Sequence, residues 1–195
     1  MIAGGTLERR AVVADLLKER EGLLVIAGLG SPAYDLMAAG DHDLNYYLWG
    51  AMGGAALIGY GLAMAQPERP VLVLTGDGEA LMGLGGLATI ALKKPRNLSI
   101  VVLDNGHFGE TGMQPSHTGQ GLDLAQVAAS CGFPHTETIT ERQGIEPLRR
   151  RIHAKQALTL AVVKIEAVNL PRELPPRDGV YIKNRFRQAL GFPPN

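Results

Sequence analysis

Four short, nearly uninterrupted apolar runs constrain this chain more than anything else in it. They read LLVIA, VLVLT, LSIVVL and LTLAVV, at 23–27, 71–75, 98–103 and 158–163. A strand covered on both faces reads this way, because neither side of its pleat meets water. Segments with helical spacing of apolar residues alternate with these runs, at 6–20, 31–40, 50–66, 80–94, 122–132 and 144–156. Such alternation predicts an α/β domain, a doubly wound and mostly parallel sheet with helices on both faces. NYYLW at 45–49 is a further strand candidate. Thr6 and Ser31 are the expected N-caps of the first two helices, with Pro32 at the first helical position, and Gly132 is an expected stop.

Composition supports one ordinary domain. In 195 residues, 46% are hydrophobic, enough to fill a core, and 5% aromatic content makes that core mostly aliphatic. Nineteen basic against nineteen acidic residues argue against a broad nucleic-acid or anionic-membrane surface. The single cysteine, Cys131, excludes an intrachain disulfide and a cysteine-ligated cluster. The start, MIAGGTLERR, lacks the apolar core of a signal peptide, and no apolar run approaches the ~18 residues of a membrane span. The expected location is the cytoplasm. From position 169 the chain turns proline-rich and basic. The expected organisation is a domain over 1–168 and a tail over 169–195. Composition makes the tail prone to disorder, while VYIKNRFRQAL within it is a possible docking helix for a partner.

Ligands of open parallel sheets sit beyond the carboxyl ends of the strands. Three strand ends here carry glycine or polar turns: GLGSP at 28–32, TGDGE at 75–79 and LDNGHFGETG at 103–112. Gly76 and Gly78 let the backbone come close to a ligand, and the helix that follows turns free N–H groups toward an anion. Asp77 supplies a hard oxygen for Mg²⁺. Asn105, 28 positions on, offers an amide oxygen at the next strand end. The turn after it adds a carbonyl such as that of His107. One carboxylate, one amide and one carbonyl leave room for diphosphate oxygens and water, the mixed set Mg²⁺ favours.

This ordered set of GDG, helix, strand and closing asparagine resembles the fingerprint of the thiamine-diphosphate-dependent decarboxylase family, in its diphosphate-binding domain. DN stands at 104–105 where many members carry NN. LWGAMGGAALIGYGLAMA resembles the Gly-x-Met-Gly start of the helix preceding GDG. DNGHFGETGMQPSHTG most resembles the short β subunits of sulfopyruvate decarboxylase and the matching part of phosphonopyruvate decarboxylase. The resemblance spans Leu23 to about Ala167. It implies thiamine diphosphate and Mg²⁺ as cofactors, with Asp77, Asn105 and His107 on the metal. Met52 would prop the cofactor into its bent form, and the carbonyl of Gly50 would accept from its amino group. Ser31, Gly76, Gly78, Glu79, Gly109 and Thr111 would surround the rest of it. His107 and Glu110 would transfer protons or meet the substrate, and His117, in PSHTG, would meet the substrate.

In that family a glutamate from a separate pyrimidine-binding domain activates the cofactor. No second α/β unit is legible here. The resemblance therefore implies an α-type partner subunit that supplies this glutamate, and a chain inactive by itself. The implied substrate is a small 2-oxoacid with an anionic tail, 3-sulfopyruvate or phosphonopyruvate. Competing readings are a split acetolactate-synthase-like carboligase and a non-catalytic nucleotide- or cofactor-binding Rossmann-like module. GLGSPA lacks the third glycine of a dinucleotide loop, and one cysteine argues against an oxoacid–ferredoxin oxidoreductase.

Overall fold

A computed structural model describes residues 5–193. In chain order the elements are α1 (Arg9–Leu16), β1 (Leu24–Ala27), α2 (Ser31–Ala38), β2 (Asn45–Tyr47), α3 (Ala55–Ala65) and β3 (Val71–Gly76). There follow α4 (Asp77–Met82), α5 (Gly85–Lys93), β4 (Leu98–Asp104), β5 (His107–Phe108), β6 (Gln114–Pro115) and α6 (Leu124–Cys131). The chain closes with β7 (His135–Ile139), α7 (Ile145–Ala154), β8 (Thr159–Lys164) and α8 (Gly179–Ala189). Six strands form one parallel sheet in the order β2-β1-β3-β4-β8-β7, while β5 and β6 make a small antiparallel ribbon. The doubly wound α/β sheet expected from the apolar runs is the one observed.

Each central strand feeds two cores. Val25, Leu72, Leu74, Val101, Leu103, Ala161 and Val163 point toward α1, α2 and α7. Their neighbours Leu24, Ile26, Val73, Ile100, Val102 and Val162 point toward α3, α5 and α6. A period of two with both faces buried is what turns these strands into continuous apolar runs. The chain leaves β1 toward β2 on one side and leaves the adjacent β3 toward β4 on the other, so the crevice beyond the ends of β1 and β3 is the topological switch point.

Several local expectations are corrected. The cap of α1 is Glu8, whose carboxylate accepts from the N–H groups of Arg10 and Ala11, and not Thr6. Gly30, at φ +79°, holds the N-cap position of α2, and Ser31 is its first helical residue. The helix expected over 80–94 is two helices, broken at Gly83 because that residue packs directly on the backbone of Gly53. The strand His135–Ile139 is not among the expected ones: it is a polar edge strand with one buried residue, so it carries no apolar signature. Among the described residues, no helix is long and apolar enough to cross a membrane.

The tail is folded. From β8 it crosses the carboxyl edge of the sheet as an extended strap and ends in α8. Asp178 caps α8, and Ile182 and Phe186 are buried, one in each core. Phe186 meets Tyr46 edge-on at 5.5 Å, and the half-buried Arg185 pairs with Asp41 at 2.6 Å. Two apolar anchors outweigh a proline-rich composition.

Candidate functional site

The crevice at the switch point holds a cavity of about 230 Å³. Its lining comes from three strand ends: Leu29 to Pro32 after β1, Gly76 to Glu79 after β3, and Asn105 with His107 to Thr111 after β4. Met52, Leu103 and Arg9 complete it. Neighbouring strands thus bring Asp77 and Asn105 to adjacent ends of the sheet: Gly76, just before Asp77, pairs with Leu103, two residues before Asn105.

Asp77 opens α4 and is 2% exposed. Its Oδ2 receives the hydroxyls of Ser116 and, at 3.0 Å, Thr118. Ser116 and Thr118 also touch each other at 2.9 Å, and Thr118 reaches Asp104 Oδ1 at 2.7 Å. Two hydroxyl protons serve these four contacts, so the Asp77 carboxylate is short of donors for its charge. Burial accordingly pushes the Asp77 carboxyl above its ordinary value, and the nearby Asp104 pushes in the same direction. Asp104 itself is 1% exposed, accepts from the N–H of Gly106, and is paired with Lys164 at 2.5 Å. One buried carboxylate is thereby matched within the protein and the other is left for a positive ligand.

Asn105 forms a tight turn, its Oδ1 accepting from the N–H of His107 at 2.9 Å. The Nδ1 of His107 lies 2.8 Å from the carbonyl of Asn105. A carbonyl only accepts, so Nδ1 carries the proton, and Nε2 of a neutral ring is free to accept. Gly78 is tightly required: a Cβ there would lie 2.9 Å from the Phe108 ring. Gly76 differs. Its φ of −91° suits any residue, and a Cβ would meet no protein atom within 4 Å. The space that its missing side chain leaves open is the cavity itself.

The thiamine pyrophosphate enzyme family, in its C-terminal TPP-binding domain, matches residues 31–164. The chain belongs to this family. It is 36% identical over 175 residues to the sulfopyruvate decarboxylase subunit β of Methanocaldococcus jannaschii, covering 86% of this chain and 88% of that subunit. A sulfopyruvate decarboxylase of Methanosarcina acetivorans is 32% identical over 97% of this chain, which spans 50% of that protein's length. A phosphonopyruvate decarboxylase of Streptomyces viridochromogenes is 35% identical over 87% of this chain and 43% of its own length. The fold is shared with benzoylformate decarboxylase of Polynucleobacter necessarius, at a TM-score of 0.72 and 19% identity over 85% of this chain and 34% of that one.

The cavity fits the group this family binds. Around its glycine turn it offers the Asp77 carboxylate, the Asn105 amide oxygen and open space. Among the described residues no three His, Cys, Asp or Glu side chains converge as a metal site of their own. A donor set this sparse suits a metal that takes its remaining oxygens from a phosphate.

Other expected site residues are distributed unevenly. Ser31, Met52, Gly109, Glu110 and Thr111 line the cavity. Gly50 is exposed and lies outside the lining, with open space where a Cβ would stand. Glu79 lines the cavity, but its carboxylate is turned into the protein. There Oε2 accepts from Thr75 at 2.9 Å, and a Cβ on Gly28 would fall on it. The amides of Leu29, Gly53 and Ala55 face this carboxylate, although Oε1 closes no full hydrogen bond, and burial pushes the acid upward. Glu79 thus ties three loops together. His117 is exposed and meets Phe108 edge-on at 6.4 Å, outside the cavity lining.

Ser116, Thr118, Asp104, Lys164 and Arg9 are not among the residues expected from sequence. Hydroxyls at alternate positions in PSHT are a usable signal, since the residues flanking His117 point the opposite way. Nothing in the sequence signals Lys164, which meets Asp104 only through the register of β4 with β8.

Proposed function

We propose that this chain is the β-type subunit of a thiamine-diphosphate- and Mg²⁺-dependent 2-oxoacid decarboxylase acting on an anionic-tailed substrate, 3-sulfopyruvate or phosphonopyruvate. The observation that carries this reading is the pairing of Asp77 with Asn105 across an open glycine turn, in a chain that aligns along its length with β subunits. Asp77 Oδ1 or Oδ2, Asn105 Oδ1 and the carbonyl of His107 would hold the metal. Gly76, Gly78 and Ser31 would receive the diphosphate, and Met52 would support the rings. When bound, the cofactor supplies an electron sink for the carbon that loses CO₂. His107 presents Nε2 as a proton carrier within the cavity.

Both glutamates lining the cavity sit on the same strand-end turns as Asp77 and Asn105, with Glu79 turned inward to Thr75 and Glu110 beside Ser31 and Arg172. The activating carboxylate is therefore assigned to an α-type partner with a pyrimidine-binding domain. An exposed apolar surface beside Met52 suits that contact: Leu57, Ile58 and Met82 are 41%, 37% and 65% exposed. Cytoplasmic location belongs to the same proposal.

The test is co-expression with a pyrimidine-domain chain, followed by assay against 2-oxoacids with and without Mg²⁺. The expected product is the aldehyde one carbon shorter, formed only by the complex. Robust turnover by this chain alone would overturn the split site. A 2-hydroxyketone or a longer hydroxy acid would select the carboligase reading instead.

A further inference from the structure

Nothing in the sequence singles out Arg9, yet it is a buried cation on the cavity wall. Its residue exposure is 6%, and it lines the same cavity as Ser31, Asn105 and Glu110. Its Nε pairs with Asp35 Oδ2 at 2.6 Å. Among the described residues, its Nη1 and Nη2 make no hydrogen bond. Asp35, 2% exposed, is shared with Arg10, whose Nε is 3.6 Å from Oδ1. Glu8 also acts on Asp35, so the two guanidinium groups and two carboxylates of this cluster balance, and Arg9 is the member that lines the cavity. Nε holds Asp35 while both Nη donors stay open to a ligand, and a guanidinium fork is well shaped for a tetrahedral oxyanion.

A second observation lies on the same wall. Asp35 and Ser31 are four residues apart on α2, hence on one face and one turn apart. The hydroxyl of Ser31 is given to Glu110 Oε1 at 3.2 Å, and the other oxygen of Glu110 pairs with Arg172 at 3.0 Å. Arg172 is carried by the strap, its guanidinium 5.8 Å from the Tyr34 ring centre. Asn169 Nδ2 holds the strap to the carbonyl of Gly109 at 3.0 Å. The protein therefore sets a carboxylate of its own on Ser31, at the mouth of a cavity with a buried cation. That carboxylate is held by exposed partners, with Arg172 and Glu110 side chains 63% and 41% exposed, so it is cheaply exchanged.

We propose that Arg9 and Ser31 form an oxyanion subsite of this cavity, which Glu110 covers until a ligand's phosphate, phosphonate or sulfonate group displaces it toward Arg172. This inference deepens the proposed function and rests on it for the ligands, either the cofactor's terminal phosphate or the substrate's tail. The subsite itself is defined by Arg9, Ser31 and Glu110 alone.

The test uses the full chain and its single tryptophan. Trp49 donates to the strap carbonyl of Pro176 at 2.6 Å and stands 6.5 Å from Tyr34, so its fluorescence reports on this rim. Arg9→Lys keeps a cation for Asp35 but removes the fork; Ser31→Ala and Glu110→Gln are the companions, each checked by thermal melting. Inorganic phosphate is titrated first, then thiamine diphosphate with Mg²⁺. In the co-expressed complex, KM is then compared for an anionic-tailed 2-oxoacid and for pyruvate. Arg9→Lys and Ser31→Ala are expected to weaken phosphate binding about tenfold, and Glu110→Gln to tighten it. A tenfold loss confined to thiamine diphosphate assigns the subsite to the cofactor. A tenfold rise in KM confined to the anionic-tailed acid assigns it to the substrate. Phosphate binding that is unchanged in folded Arg9→Lys and Ser31→Ala overturns the proposal. Failure of thiamine diphosphate to bind, with phosphate still sensitive to both variants, overturns the cofactor reading and leaves the subsite standing.

Discussion

The two ends of the cavity are built on opposite terms. At the Asp77 end the carboxylates and hydroxyls are buried and tied: Asp77 to Ser116 and Thr118, Thr118 to Asp104, and Asp104 to the half-buried Lys164. At the Glu110 end the partners are exposed, and one of them rides on a strap with no regular structure. Buried, mutually bonded groups hold one geometry, which suits a metal with strict demands on its ligands. Exposed ion pairs hold little energy and exchange readily, which suits a rim that must admit and release ligands.

The contrast between the two ends is broken most visibly at Asp77. Asp77→Ala is expected to lower Mg²⁺-dependent binding of thiamine diphosphate at least about a hundredfold, read by calorimetry, while the chain stays folded. Retained affinity would place the metal elsewhere. Lys164→Met would leave Asp104 buried and unmatched, and unfolding in urea should show a loss of about 2–3 kcal/mol. Thr118→Val keeps the shape but removes the hydroxyl shared by the two carboxylates. A drop in metal affinity of about tenfold is expected, since it acts on a ligand through its orienting partner.

A pH series sharpens the same contrast. Burial raises the Asp77 acid, so the folded chain without metal favours its protonated form. Stability from this group is fully present below the unfolded carboxylate value and is lost as pH rises through the raised folded one. The metal-free melting temperature should therefore rise on moving from neutral pH toward the carboxylate range, and Asp77→Asn should flatten part of that slope. Bound metal reverses the preference, so affinity for Mg²⁺ should fall over the same interval. The smallest effect is expected at the rim: Arg172→Ala should change unfolding stability by less than about 1 kcal/mol. A larger loss would make the rim a structural clamp instead of an exchangeable one.

Much of this architecture is legible in the sequence. The parallel sheet follows from continuous apolar strands, and Asp77 and Asn105 follow from turns at successive strand ends. Both signals are local, and local patterns survive in a one-dimensional reading. β7 is illegible because an edge strand can be polar on both faces. Composition misleads about the tail because it hides two anchors, Ile182 and Phe186, whose value depends on the cores they enter.

By itself the sequence determined the fold class, the glycine turns and the two oxygen donors, Asp77 and Asn105, that reach the cavity. Those features depend on residue type and spacing along the chain. The tertiary structure alone decided that Glu79 turns inward, that His117 stands outside the cavity, that Lys164 answers Asp104, and that Arg9 lies on the wall. Each of these depends on which residues from distant segments are brought within a few ångströms, and on which of them lose their water.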